Sequence, residues 1–400
     1  MKRFIVIGAG SRANTYLKYI RENEGSGVVI AVAEPQDIRR KHFQDIFQIA
    51  PELCFNSWEE CLNEKVGKIG DIVIIGTLDH LHYEPTMAAI RLGYDILLEK
   101  PMATTEKECR EICILAEANN IDLRVCHIMR YHPLYRKLKE LVPSIGTIKM
   151  VIWLQPIGPI HFAASYNRHP YWSFKEKSGP LILTKACHDL DLLLDTFNTT
   201  EYQILSSVAS KDEFIPSKQP ADALNSSLCS QCPINTTCRY SAFENYGTYK
   251  RYRKYVTNKL NPTREDAIED LINGPYDQCV YQQKGNVMEQ YVSTLKIKEA
   301  LVSFNMTPFH TNICSRIITF IGTDGRIELD EESQSLTIFQ KDNNQHIICD
   351  ANIPSDTNMT GHSGADWHFM NALMNNENLT PPAASLASHQ LAFDIENSLM

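Results

Sequence analysis

Over the first 125 residues, short apolar runs rich in β-branched residues alternate with helix-period segments: RFIVI at 3–7, VVIAVA at 28–33, DIVIIG at 71–76, DILL at 95–98 and LRVCHI at 123–128. Strands separated by helical stretches predict βαβ units. They imply a parallel sheet with helices on both faces, a doubly wound α/β domain of the Rossmann type over 1–125. After a helical segment near Leu134–Leu141 the pattern changes to longer alternating runs at 148–155, 202–210, 288–297, 300–307 and 315–322. With few helices between them, these runs predict a large mixed or antiparallel sheet in an α+β domain over 126–400. Within that domain Pro180–Phe197 reads as a long helix and 211–285 as a polar, cysteine-bearing insertion of loops with one charged helix. Asp366–Met374 and Ser385–Leu399 read as helices that return to pack on the body.

Composition narrows the class. Apolar residues make up 43% and charged residues 22%, ordinary usage for a folded globular chain with a sizeable core. The 39 Lys and Arg against 48 Asp and Glu give a net charge of −9. With no long basic run to follow a phosphate backbone, nucleic acid is excluded as a partner. The opening MKRFIVIGAG is one strand long before it reaches glycines, so it reads as a first strand and not as a signal peptide. No stretch of about 18 apolar residues marks a membrane span, and the expected location is the cytoplasm.

Chemistry enters at the end of the first strand. Gly8-Ala9-Gly10-Ser11-Arg12-Ala13 leaves a predicted strand and opens a predicted helix, the G-x-G-x-x-A form of a dinucleotide fingerprint. Glycines there let the backbone approach a pyrophosphate at a helix N-terminus, where N–H groups are free. Glu34, at the end of the second strand, is placed for the adenosine ribose hydroxyls. A carboxylate at that point repels a 2′-phosphate and favours NAD over NADP, although Arg39, Arg40 and Lys41 lie near enough in sequence to weaken the preference.

The third and fourth strands end in Gly76-Thr77-Leu78-Asp79-His80-Leu81-His82 and Glu99-Lys100-Pro101. Carboxyl ends of strands line the ligand crevice of such sheets, so Thr77, His80, His82, Glu99 and Lys100 are candidates for the cofactor side. Removing a hydride from a carbinol carbon also requires taking the hydroxyl proton, which a partly desolvated lysine can do; Lys100 is the sharpest candidate. On the long helix, Lys185, His188 and Asp191 are spaced three apart and share neighbouring parts of one face. A carboxylate orienting an imidazole makes an acid/base unit. The bland alternatives are a buried structural network for His188 and a solvated face for Asp189 and Asp191.

The segments FIVIGAGSRA, GTLDHLHYEPTMAAIRLGYDILLEKPMATT, CHIMRYHP, LILTKACHDLDLLLDTF and IGTDGRIEL together resemble the glucose-fructose oxidoreductase/inositol dehydrogenase/rhizopine catabolism (Gfo/Idh/MocA) family over nearly the whole length. The resemblance implies a Rossmann domain followed by a largely β-sheet domain whose open face often builds dimers or tetramers. It also implies NAD(P)-dependent oxidation or reduction of a secondary hydroxyl or carbonyl of sugars, inositols and related compounds. Lys100 matches the family's catalytic lysine and His188 its helix histidine. Many members carry an aspartate four residues before that histidine, where this chain has Thr184, so Lys185 or Lys100 takes the proton, or the reaction departs from simple dehydrogenation. His127, Arg130, Tyr131, His132 and His362 are then expected at the substrate, with Asp189 and Asp191. The TKACHDLD form with a cysteine-bearing insertion also resembles a subgroup with glycoside-cleaving relatives. These act by transient oxidation at C3, elimination, water addition and return of the hydride. A dehydrogenase is the first expectation, the redox glycoside hydrolase the alternative, and a non-catalytic dinucleotide-binding regulator the last.

Of the twelve cysteines, only Cys229, Cys232, Cys238 and Cys279 look grouped. Four thiolates are the count of a closed tetrahedral zinc site, which would be structural and would pin an insertion too polar to hold itself together. Free thiols or an adventitious disulfide are the other readings.

Overall fold

The computed structural model describes residues 1–272, 274–310, 315–340, 346–350 and 362–399. Six strands, β1 (Lys2–Ile7), β2 (Gly27–Ala33), β3 (Cys54–Phe55), β4 (Ile72–Ile75), β5 (Asp95–Leu98) and β6 (Leu123–Val125), form a sheet in the order β3-β2-β1-β4-β5-β6. All its pairings are parallel. Helices cover both faces of such a sheet, so its strands read as unbroken apolar runs; Ile72–Ile75 is buried at all four positions. The connecting helices are α1 (Ser11–Glu22), α2 (Asp37–Phe47), α3 (Tyr83–Arg91) and α4 (Glu106–Ala118), followed by α5 (Pro133–Leu141). Residues Ser57 and Thr105 cap a short helix and α4 by accepting an N–H three residues on.

The second sheet contains β7 (Ile148–Pro156), β8 (Gln203–Ser210), β9 (Gln290–Ile297), β10 (Ala300–Thr307), β11 (Ile317–Gly322), β12 (Gly325–Asp330), β13 (Ser335–Gln340) and β14 (His346–Asp350). They run in the order β14-β13-β12-β11-β7-β10-β9-β8. β10 pairs with β7 in parallel and with β9 antiparallel, so the sheet is mixed. Side chains of β9 and β10 alternate between buried and less buried, the signature of a sheet with one covered face. The long helix is α6 (Leu181–Phe197).

The insertion departs from expectation. It holds three helices, α7 (Ala242–Thr248), α8 (Lys250–Val256) and α9 (Arg264–Leu271). Its own core joins Tyr246, Tyr252, Leu271 and Tyr276 to Ala242 and Cys229. Tyrosines read as half-polar in a hydropathy pattern, yet each buries a large ring once its hydroxyl is satisfied; Tyr246 donates to Ala164 O at 2.8 Å. The chain ends with α10 (Ala365–Met374) and α11 (Pro382–Asn397). Among the described residues no helix is long and apolar enough to cross a membrane.

Contacts group the chain into two compact units. One comprises Met1–Lys149, Cys187–Tyr202 and Phe320–Asp394; the other comprises Met150–Ala186, Gln203–Thr319 and Ile395–Met400. The first sheet thus shares its unit with most of α6 and with α10 and nearly all of α11, segments that sequence order alone assigns to the C-terminal domain.

Candidate functional site

The fingerprint turn has the geometry that a dinucleotide requires. Gly8 has φ +89°, and a Cβ there would lie 2.9 Å from Gly76 O, so only glycine keeps the first and fourth strand ends this close. Gly10 caps α1 with no side-chain bond to the first-turn N–H groups, which leaves the backbone of Ser11, Arg12 and Ala13 open to an anion. Glu34 is buried and folds back on the same turn: one carboxylate oxygen accepts Ala9 N–H and the other Gln36 N–H, both at 2.9 Å. Arg40, the nearby cation, is committed to Asp37 and to Glu34 O. These residues fit a dinucleotide whose ribose is read by a carboxylate.

Arg12 has a second role that spacing did not reveal. Its guanidinium donates to Glu99 at 2.7 Å and to Asp366 on α10, and the Tyr16 hydroxyl also donates to Glu99. Burial opposes the charge of Arg12, and Tyr16, Glu99 and Asp366 override it, holding the guanidinium protonated. Burial alone would raise the Glu99 carboxyl, but Arg12, Tyr16 and Lys100 hold it below the usual carboxylate range. Glu99 also accepts the Lys100 backbone N–H at 3.0 Å. Glu99, expected beside the cofactor, is instead buried as the hub that fixes the end of β5 to α1 and α10.

Lys100 leaves that hub half-buried. Its charge is close enough to act on His127, His389 and the Cys187 thiol. His127 is fully buried, and its ring meets His188 edge-on at 5.6 Å between centroids and His389 at 5.3 Å. Burial, then Arg130 and Lys100, push His127 well below the ordinary histidine value, so it stays neutral. Among the described residues its Nδ1 has no hydrogen-bond partner. His188 is 7% exposed and lies 6.1 Å from the ring of His362, whose Nδ1 is 3.1 Å from Asp366 Oδ2. His362 and Ser363 both adopt left-handed backbone, φ 37° and 50°, a strained state that concentrates at functional sites. Lys100, His127, His188 and His362 therefore belong to one cluster within one compact unit.

Several residues expected at a ligand make contacts within the chain. Arg130 and Asp191, expected at the substrate, are committed to each other: two N–H groups reach the carboxylate at 2.6 and 2.7 Å, and Arg130 also binds Asp195 and Leu379 O. His132 is buried as the N-cap of α5, where its Nδ1 accepts Leu134 N–H. His82 is fully buried against the carbonyl oxygens of Pro101 and Thr77. Asp189 is fully buried, so the solvated-face alternative for it fails; the same holds for Asp191. Tyr131 accepts Leu379 N–H through its hydroxyl. Thr77 and exposed His80 remain at the end of β4, with Thr77 donating to Leu81 O. On α6, Lys185 is half-buried, and the Thr184 hydroxyl donates to the helix carbonyls of Pro180 and Leu181, at 3.4 and 3.5 Å.

The zinc expectation is also corrected. Cys229, Cys232, Cys238 and Cys279 do line one cavity, but as free thiols. The Cys229 sulfur accepts from Arg168 and the Cys279 sulfur from Gln219, each at 3.4 Å. Arg168 is 1% exposed and brings a fixed positive charge against the would-be ligands, which repels a divalent cation. Among the described residues no group of three or more His, Cys, Asp or Glu is placed to hold a metal ion.

Residues 2–127 match the Gfo/Idh/MocA model, an oxidoreductase family with an NAD-binding Rossmann fold. The putative oxidoreductase YteT of Bacillus subtilis is 24% identical over 347 residues, 83% of this chain and 77% of that protein. The scyllo-inositol 2-dehydrogenase (NADP(+)) IolW of the same organism is 32% identical over 99 residues, 25% of each chain. Among solved structures, levoglucosan dehydrogenase in complex with NADH superposes with a TM-score of 0.69 at 16% identity, covering 99% of this chain and 96% of that one. That likeness establishes the common fold.

Proposed function

Because the chain belongs, through its N-terminal domain, to the Gfo/Idh/MocA oxidoreductases, we propose that it moves a hydride to or from a secondary hydroxyl or carbonyl of a sugar, inositol or related polyol. The observation that carries this reading is Lys100 at the carboxyl end of β5, beside the buried imidazoles of His127 and His188. When bound, the dinucleotide supplies the hydride acceptor, or the donor in the reverse direction. The first-turn N–H groups of α1 after Gly8 and Gly10 would hold its pyrophosphate, and the Glu34 carboxylate would accept from the ribose hydroxyls. With Glu34 in that position and Arg40 already paired, NAD is preferred over NADP.

In its neutral amine form Lys100 takes the hydroxyl proton on oxidation, becoming the ammonium that returns it on reduction, and His188 holds the same oxygen by hydrogen bond. Neutral His127 leaves those two groups to exchange protons with the substrate. His362 is the flanking polar contact, and Lys185 on α6 is the second candidate for the proton because Thr184 cannot carry it. The glycosidase variant of this chemistry is favoured by one observation: Thr184 stands where a dedicated acid would, bonded to its own helix. The exposed apolar residues Met150, Ile152, Val292 and Leu301 on β7, β9 and β10 support a homo-oligomer.

Replacing Lys100 with Met tests the assignment. The variant is expected to bind NADH as the unaltered protein does and to lose about 10²–10⁴ of its turnover. Unchanged turnover, followed as NADH at 340 nm, removes Lys100 from the mechanism.

A further inference from the structure

The peptide that joins Pro101 to Met102, one residue beyond Lys100, is held on both hydrogen-bonding edges by histidines from distant parts of the chain. His82 Nδ1 lies 2.7 Å from Pro101 O, and Met102 N–H donates to His389 Nε2 at 2.8 Å. Both rings are fully buried. Their partners determine their tautomers, because a ring nitrogen against a carbonyl oxygen must carry a hydrogen and one facing an N–H must not. His82 donates through Nδ1; its Nε2 is farther from its neighbour, 3.3 Å from Thr77 O. His389 has Nδ1 2.6 Å from Ser385 O, so it is the Nδ1–H form with a bare Nε2 facing Met102.

On the other side of Lys100 the chain is equally constrained. Its own N–H is held by the Glu99 carboxylate at 3.0 Å. Burial, then neighbouring His127, push His389 down to about 3, so it remains an acceptor at any working pH. Lys100 therefore has its own N–H bonded, and the Pro101–Met102 peptide just beyond it is bonded at both its carbonyl and its N–H.

We propose that His82 and His389 are positioning residues that clamp the Pro101–Met102 peptide and so set the direction from which the Lys100 side chain reaches the reacting oxygen. The proposal rests on the reading of Lys100 as the proton carrier, since the clamp matters to turnover only through that amine. A displacement of about 1 Å at a reacting group can cost on the order of 10²-fold in rate. A side chain amide provides the natural control: the oxygen of Gln falls where Nε2 of His389 sits, and the nitrogen of Asn falls where Nδ1 of His82 sits.

The test uses the full chain with His389→Phe, His389→Gln, His82→Leu and His82→Asn. Hydrogen exchange is read on the short peptide containing Met102, where Pro101 contributes no amide. The carbon-13 signal of dimethylated Lys100 is read by NMR, and NADH binding by fluorescence. His389→Phe is expected to speed exchange at Met102 at least tenfold and to shift the Lys100 signal, with NADH binding within about twofold; His389→Gln restores both. His82→Leu moves the Lys100 signal and His82→Asn returns it. If His389→Phe fails to fold, His389→Asn, which is too short to reach Met102, must reproduce the loss that His389→Gln avoids. Unchanged Met102 protection and an unmoved Lys100 signal in the Phe and Leu variants would overturn the clamp, as would failure of the amide variants to restore them. Failure of the Lys100 reading is separately visible as normal turnover by Lys100→Met with these exchange and NMR results intact.

Discussion

Arg130 and Asp191 show how a chemically plausible residue is diverted to structure. The guanidinium meets the carboxylate through two N–H groups with both side chains nearly out of contact with water, 6% and 1% exposed. Removing one partner strands the other charge, so Arg130→Met should cost about 3–5 kcal/mol of stability. Urea unfolding measures this, and a change under about 1 kcal/mol would return Arg130 to the ligand-binding candidates. At this scale, sequence spacing identifies residues whose role is local. Gly8 and Glu34 are legible because the turn and the strand end are defined by their neighbours. Asp366 and His389 are not, because their partners Arg12 and Met102 lie 354 and 287 residues away. Nor does chemistry alone distinguish a histidine that reads a ligand from one, such as His82 or His132, that satisfies a backbone group.

Among the elements, alternation marks a strand wherever one of its faces is covered, as in β9 and β10. The two-residue β3 is too short to carry a period. The insertion is poorly legible in the sequence because its core is built from tyrosines, whose rings do the work of aliphatic side chains while their hydroxyls lower the hydropathy. Tyr246 is fully buried, and Tyr246→Ala should destabilise the insertion by about 3–5 kcal/mol. Limited proteolysis should then cut selectively within 211–285; resistance equal to that of the unaltered chain would show that some other contact holds these helices.

For the molecule as a whole, buried neutral histidines set the acid limit. Burial lowers His127, His169 and His389, with His169 and His389 each at about 3. Above the ordinary histidine value of about 6.5 neither folded nor unfolded chains bind these protons. Below it the unfolded chain does and the folded chain does not, so stability falls with pH by about 1.4 kcal/mol per unit for each such histidine. The depressed carboxyls Glu99 and Asp366 contribute stability that is present above their unfolded values and lost in turn as pH falls through the folded ones. Urea titrations at pH 7.5, 6.5 and 5.5 should trace the first stage, and His389→Gln should flatten it by one histidine. A stability independent of pH across that range would contradict the neutral cluster. Oligomeric state is testable at the same scale: Val292→Asp places a charge on the exposed sheet face, where Val292 is 53% exposed. It should reduce the mass seen by light scattering to that of one chain; an unchanged assembly would place the interface elsewhere.

The central claim, net hydride transfer with Lys100 carrying the proton, is tested most directly by absorbance at 340 nm. The purified protein is supplied with NAD and screened against free sugars, inositols and aryl glycosides. Net NADH should accumulate with a free sugar or inositol, and Lys100→Met should abolish it. Aglycone release from an aryl glycoside with no net NADH would contradict it and assign the chain to redox-assisted glycoside cleavage.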